Sequence, residues 1–110
     1  MGLFENPNTW GSSSWILLHC VSMTFPKNPT TTEINHYATF FKSLKNVLPC
    51  KICRKSYTVW LKDHPPYFSS RKDAIHWVID VHNYVNVRLG KKKYPKRQAL
   101  QEINRMCNKK

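Results

Sequence analysis

The sequence predicts an all-α fold, a four-helix bundle followed by a short fifth helix. Three observations point there. Apolar residues recur at helical spacing in four segments, cap and stop residues bound those segments, and the connections between them are short. No internal repeat or long linker interrupts the 110 residues, so residues 1–110 read as one domain.

The first helix is expected from Thr9 to Thr24. Trp15, Leu18, Val21 and Phe25 share a face there, and Pro26 stops it. After a turn over Lys27 to Thr30, Thr30 caps the second helix, with Glu33 three residues on as a capping box. Ile34, Tyr37, Phe41, Leu44 and Leu48 form its apolar face. A third helix starts near Pro49 or Cys50 and runs to Lys62, proline suiting a first helical position. Asp63 to Ser69 is a loop containing Pro65-Pro66. Ser70 then caps the fourth helix, which runs to Leu89 and stops at Gly90. A basic turn, Lys91 to Lys96, leads to a fifth helix from about Arg97 to Cys107.

Composition narrows the function classes. Hydrophobic residues make up 41% of the chain and only three are glycine, a globular composition. No run of 18 apolar residues exists, so no membrane insertion is expected. Met1-Gly2-Leu3-Phe4-Glu5-Asn6-Pro7 has neither the basic nor the apolar region of a secretory signal peptide, and Asn6 stands where myristoylation wants Ser or Thr. The net charge of +12 reads either as solubility or as a nucleic-acid surface. The basic residues spread over Lys42 to Lys62, Lys91 to Arg97 and a Lys109-Lys110 tail, and no recognised nucleic-acid motif frames them.

Of the four cysteines, only Cys50 and Cys53 are close in sequence. A zinc site of the usual kind wants a second such pair or histidines at set spacing, so a redox pair is favoured. At a helix N-terminus Cys50 meets unpaired backbone N–H groups and the positive end of the helix dipole. Lys51, Arg54 and Lys55 add positive charge. All of this favours the thiolate, the species that attacks or leaves in disulfide exchange. A thioredoxin-like protein does not fit, because the chain lacks alternating strands and helices.

His82 and Asn86 sit four apart on the apolar side of the fourth helix, and Trp15 and His19 four apart on the first. Each alone reads as a satisfied core residue. Together, with Trp77 and Asn83 nearby, they resemble a pocket wall able to stack on a planar heterocycle, and Lys91 to Lys93 could meet a phosphate.

Three blocks in order carry a family resemblance: Trp10-Gly11-Ser12-Ser13-Ser14-Trp15-Ile16-Leu17-Leu18-His19, Leu48-Pro49-Cys50-Lys51-Ile52-Cys53, and His82-Asn83-Tyr84-Val85-Asn86-Val87-Arg88-Leu89-Gly90-Lys91. Together they resemble the Erv/ALR family of FAD-dependent sulfhydryl oxidases over roughly residues 9 to 95, the third block being the most specific. The resemblance implies FAD held between the helices of the bundle, and a homodimer. It implies that Trp15 and His19 contact the flavin, and that His82, Asn83, Asn86 and Lys91 hold adenine, ribose and phosphates. Trp77 would pack near the cofactor, with Gly11, Ser12, Val85 and Leu89 in the same binding set. Cys50 and Cys53 would be the redox pair beside the isoalloxazine ring, oxidising protein dithiols and passing electrons through FAD to O₂ to form hydrogen peroxide. No metal is expected. The compact length resembles short viral members, which would put the protein in a host cytoplasm or virion; otherwise the mitochondrial intermembrane space is implied.

The chain also departs from the family. Ser12 replaces a common Arg, Tyr94-Pro95-Lys96 stand where a structural Cys is frequent, and no distal cysteine pair is present. Cys20 and Cys107 remain, as a structural bridge between helices one and five, as two buried thiols, or with Cys107 as a shuttle. Two rival functions stay open. One is a basic helical module binding nucleic acid or an acidic partner. The other is a zinc-stabilised scaffold using Cys50, Cys53 and two of His19, His64, His76 or His82.

Overall fold

A computed structural model of the protein describes residues 5–107; the Met1-Gly2 start and the Lys109-Lys110 tail lie outside the described residues. Five helices follow one another: α1 Pro7–Met23, α2 Thr31–Val47, α3 Lys51–Asp63, α4 Arg71–Arg88 and α5 Lys96–Cys107. Among the described residues there is no strand. No helix is long and apolar enough to cross a membrane.

Local chemistry sets the boundaries. α1 begins two residues before the expected Thr9, because the Asn6 side chain accepts the Asn8 N–H at 3.0 Å and Pro7 occupies the first turn. Thr30 and Glu33 form the capping box of α2. Of the expected starts Pro49 and Cys50, α3 uses the second: Cys50 is the cap, its Sγ accepting from Cys53 N–H at 3.2 Å, and Pro49 lies just outside the helix. Ser70 caps α4, and Gly90 ends it at φ 72°, a left-handed conformation that glycine adopts without strain. α5 begins right after Pro95.

α1 packs on α4 and on α5, while α2 packs on α3. The helix pairs are bridged by an aromatic core: Phe25, Phe41, Tyr57, Trp60, Phe68 and Trp77, all buried. Their rings meet edge-on or tilted, Phe41–Trp77 at 5.0 Å and Trp60–Trp77 at 5.1 Å between centroids, the geometry that aligns a positive ring edge with a negative face. Burying each such side chain contributes about 1.5–3 kcal/mol. Polar bonds lock the same end: Trp77 Nε1 donates to His64 O, and Arg71 Nε donates to Phe25 O. Phe25, His64, Phe68 and Arg71 sit at the end of the bundle where α1 and α3 finish and α2 and α4 begin. Phe41, Tyr57 and Trp77 lie further along and also line a cavity toward the other end.

Candidate active site

A cavity of about 470 Å³ opens at that second end, within the range of small-molecule and cofactor sites. Every residue that the resemblance marked for cofactor binding lies on its wall. Gly11, Ser12, Trp15 and His19 come from α1, which runs its first half along the opening. Trp77, His82, Asn83, Val85, Asn86 and then Leu89 come from α4 and its cap, and Lys91 from the turn that follows.

The histidines form the centre. His19 is only 3% exposed, and its Nε2 lies 3.0 Å from His82 Nδ1, a contact between residues 63 apart in sequence. The His82 ring stacks on Trp15, centroids 4.0 Å apart and planes within 10°. Burial lowers both imidazoles from 6.5 to about 4; for His82 the His19 ring and Lys91 add to the effect of burial. Both rings are therefore neutral near pH 7, so one nitrogen of each donates and the other accepts. The His19–His82 bond uses one nitrogen of His19. The other, Nδ1, is buried with no hydrogen-bond partner. An orphaned buried polar atom costs about 1–3 kcal/mol, which makes it a natural anchor for a ligand atom.

Two of these residues also bond within the protein. Asn83 spends its amide on the chain itself: Nδ2 donates to Tyr94 O and Oδ1 accepts from Tyr94 N–H, both at 2.9 Å. It thereby fixes the turn carrying Lys91. Trp77 reaches the wall from the aromatic core and gives its N–H to His64 O. Asn86 is buried beside the cavity, and its carbonyl accepts from Lys91 N–H at 2.7 Å. Exposed Ser12 and Leu89 lie at the rim.

The cysteine pair meets this cavity from α3. Cys50 and Cys53 are joined, Cα atoms 5.1 Å apart. Both are half-buried, and Cys53, not Cys50, belongs to the cavity wall. Arg54 donates to Leu48 O, which pins the turn before the pair.

Sequence reasoning missed the fifth wall. Ala99, Glu102, Ile103 and Met106 of α5 also line the cavity. Their spacing is a helical signal, but periodicity cannot say which neighbour the face covers. Cys107 at the end of α5 is bonded to Cys20 of α1, Cα atoms 5.7 Å apart, so α5 is tied covalently across the site. The zinc-scaffold alternative finds no geometry: among the described residues no three His, Cys, Asp or Glu side chains gather as a metal site.

The donor set suits a flavin dinucleotide. Flat ring faces at Trp15 and His82, an orphaned imidazole nitrogen, a cationic turn and a sulfur in the same wall match a planar redox heterocycle with a phosphate tail.

Comparisons with known proteins agree. The Erv1/Alr family profile matches residues 12–105. The chain is 38% identical over 103 residues to a probable FAD-linked sulfhydryl oxidase of Acanthamoeba polyphaga mimivirus, covering 91% of this chain and 72% of that protein. It is 36% identical over 83 residues to the mitochondrial FAD-linked sulfhydryl oxidase erv1 of Schizosaccharomyces pombe, covering 74% of this chain but 46% of that longer protein. Among solved structures, the crystal structure of the yeast Erv1 core superposes with a TM-score of 0.80 at 27% identity, covering 91% of this chain and 81% of that one.

Proposed function

The chain belongs to the Erv1/Alr family, and on that premise we propose that it is an FAD-linked thiol oxidase that forms disulfide bonds in dithiol substrates. The observation that carries the proposal is Cys53, half of a bonded Cys-x-x-Cys pair, standing in the wall of the cavity that holds Trp15, His19 and His82.

A substrate thiolate attacks Cys50 Sγ; the Cys50–Cys53 bond breaks and Cys53 leaves as thiolate. The substrate's second thiolate then attacks its own sulfur in that mixed disulfide, and Cys50 leaves as thiolate. The substrate has lost two electrons and two protons, and the pair is reduced. The α3 N-terminus and the nearby Lys51 stabilise the departing Cys50 thiolate. When bound, FAD would supply the two-electron acceptor for the reduced pair, with O₂ as the terminal acceptor and hydrogen peroxide as the product. In this reading Trp15 and the neutral His19–His82 pair hold and orient the flat rings, and Lys91 meets phosphate. Asn83 keeps Lys91 in position, while α5 keeps water from the cavity.

Residues 1–110 act as a single domain in this proposal, supported by a family match that spans most of the chain. A homodimer belongs to it too, supported by the exposed apolar residues Ile16, Leu17 and Phe40 on α1 and α2. Relatives with viral and mitochondrial names support the two settings: a host cytoplasm or virion for a viral protein, the intermembrane space for a mitochondrial one.

An absorbance spectrum tests the assignment. The purified protein should show flavin bands near ~450 nm that bleach under dithiothreitol without oxygen. In Cys53→Ser the bands should remain but not bleach. A protein that takes up no FAD, or a variant that still turns over, overturns the reading.

A further inference from the structure

The six acidic residues are distributed so that the thiol end of the bundle is strongly cationic. Glu33 closes the capping box of α2, and Asp73 at the start of α4 accepts from Ser69 N–H while its own N–H donates to Ser70 Oγ. Asp80 faces Lys96 at 3.7 Å, Glu102 pairs with Arg105, and Asp63 closes α3 at the far end from Cys50. Glu5 precedes α1. In contrast, residues 34–62 carry Lys42, Lys45, Lys51, Arg54, Lys55 and Lys62 with no acid, and residues 81–101 carry Arg88, Lys91, Lys92, Lys93, Lys96 and Arg97 with no acid.

The fold brings these two stretches together. α3 and α4 run so that the start of one meets the end of the other, with Ser56 and Tyr84 hydroxyls 3.5 Å apart and Cys53, Arg88 and Lys91 on one cavity wall. Lys51 and Lys55 are exposed beside the cysteines, as are Lys91 to Lys93 across the opening. Among the described residues the ion pairs are Lys96–Asp80 and Arg105–Glu102, neither of which neutralises these lysines. Between the two cysteines Ile52 points outward, 68% exposed. Like charges gathered without counterions do not stabilise a fold, whereas they steer an oppositely charged partner.

Resting on the thiol-oxidase reading above, we propose that the protein substrate is recognised through acidic residues flanking its cysteine pair, drawn in by Lys51, Lys55, Lys92 and Lys93, with an apolar substrate side chain covering Ile52. Charge complementarity is the argument for an acidic protein segment. Nucleic acid is the competing anion.

The test uses the flavin-loaded protein and two peptides with the same Cys-x-x-Cys core, one flanked by Asp and Glu, the other by Lys and Arg, with dithiothreitol alongside. The ratio of their kcat/KM values is the readout. Both peptides offer the same thiols, so altered Cys50 reactivity cancels from it. At low salt the acidic peptide should be favoured by about tenfold or more. High salt should collapse the ratio, because screening shortens the reach of charge to about 3 Å at 1 M. Lys51→Glu with Lys55→Glu should reduce the ratio several-fold. Equal oxidation of the two peptides, or a ratio indifferent to salt and to the double variant, overturns the proposal. So does duplex DNA that inhibits oxidation of the acidic peptide more strongly than a thiol-free acidic peptide of equal charge, since the surface then belongs to nucleic acid. Failure to oxidise dithiothreitol defeats the underlying oxidase reading instead, and this proposal with it.

Discussion

Replacing Cys20 and Cys107 together by Ala would cut the covalent tie between α1 and α5. The bond joins residues 87 apart, nearly the whole chain. In the chain-entropy picture a cross-link of that span removes about 15 cal/mol/K from the unfolded ensemble, or about 4.6 kcal/mol at room temperature. The entropy of unfolding of a 110-residue domain, about 0.23 kcal/mol/K, converts this to a fall in Tm of about 20 °C. Native bridges commonly deliver about 2–5 kcal/mol, so a fall of about 10–20 °C is expected. The position of the bond adds a second consequence. α5 contributes Ile103 and Met106 to the cavity wall, so freeing its end should also weaken retention of FAD. Thermal unfolding followed by circular dichroism, with both proteins saturated in FAD, measures the first effect. Flavin fluorescence on dilution measures the second. The reasoning fails if mass analysis confirms the bridge in the parent protein and the variant still unfolds within about 4 °C of it, a change of only about 1 kcal/mol.

Two further outcomes follow from the histidine pair. Both rings are neutral in the folded protein, lowered to about 4 against 6.5. Between those values the unfolded chain binds more protons than the folded one, so stability falls as pH drops from about 6.5 toward 4, by about 1.4 kcal/mol per pH unit for each proton taken up. Urea midpoints should decline across that window, and a flat profile would show that the pair is not held neutral. His19→Ala removes the orphaned nitrogen and the bond to His82. FAD affinity, read by titrating apoprotein, should fall about three- to tenfold, the worth of one hydrogen bond. Unchanged affinity would mean that His19 does not touch the cofactor.

Much of the fold was legible because helix signals are short-range. Thr30 and Glu33, Ser70 and Gly90 act within a few residues of themselves, and the structure has helix ends there. α1 starts two residues before the position that the apolar pattern from Trp15 onward suggests, because Asn6 followed by Pro7 is a cap and first-turn pair. Of the two starts that the sequence offers for α3, Pro49 or Cys50, the structure uses Cys50, whose sulfur supplies the cap, a role that thiols seldom take.

The residue types of the site were legible as well, but their division of labour was not. That Cys50 and Cys53 can meet follows from three residues of separation. That His19 meets His82 across 63 residues, that Asn83 turns to Tyr94, that α5 closes the cavity and that Cys20 reaches Cys107 depend on how the five helices pack. A sequence by itself determines what is local: periodicity, caps, charge and the reach of neighbouring side chains. Only the tertiary structure decided which faces meet, because that choice is made by the aromatic core, whose burial joins residues no short window contains.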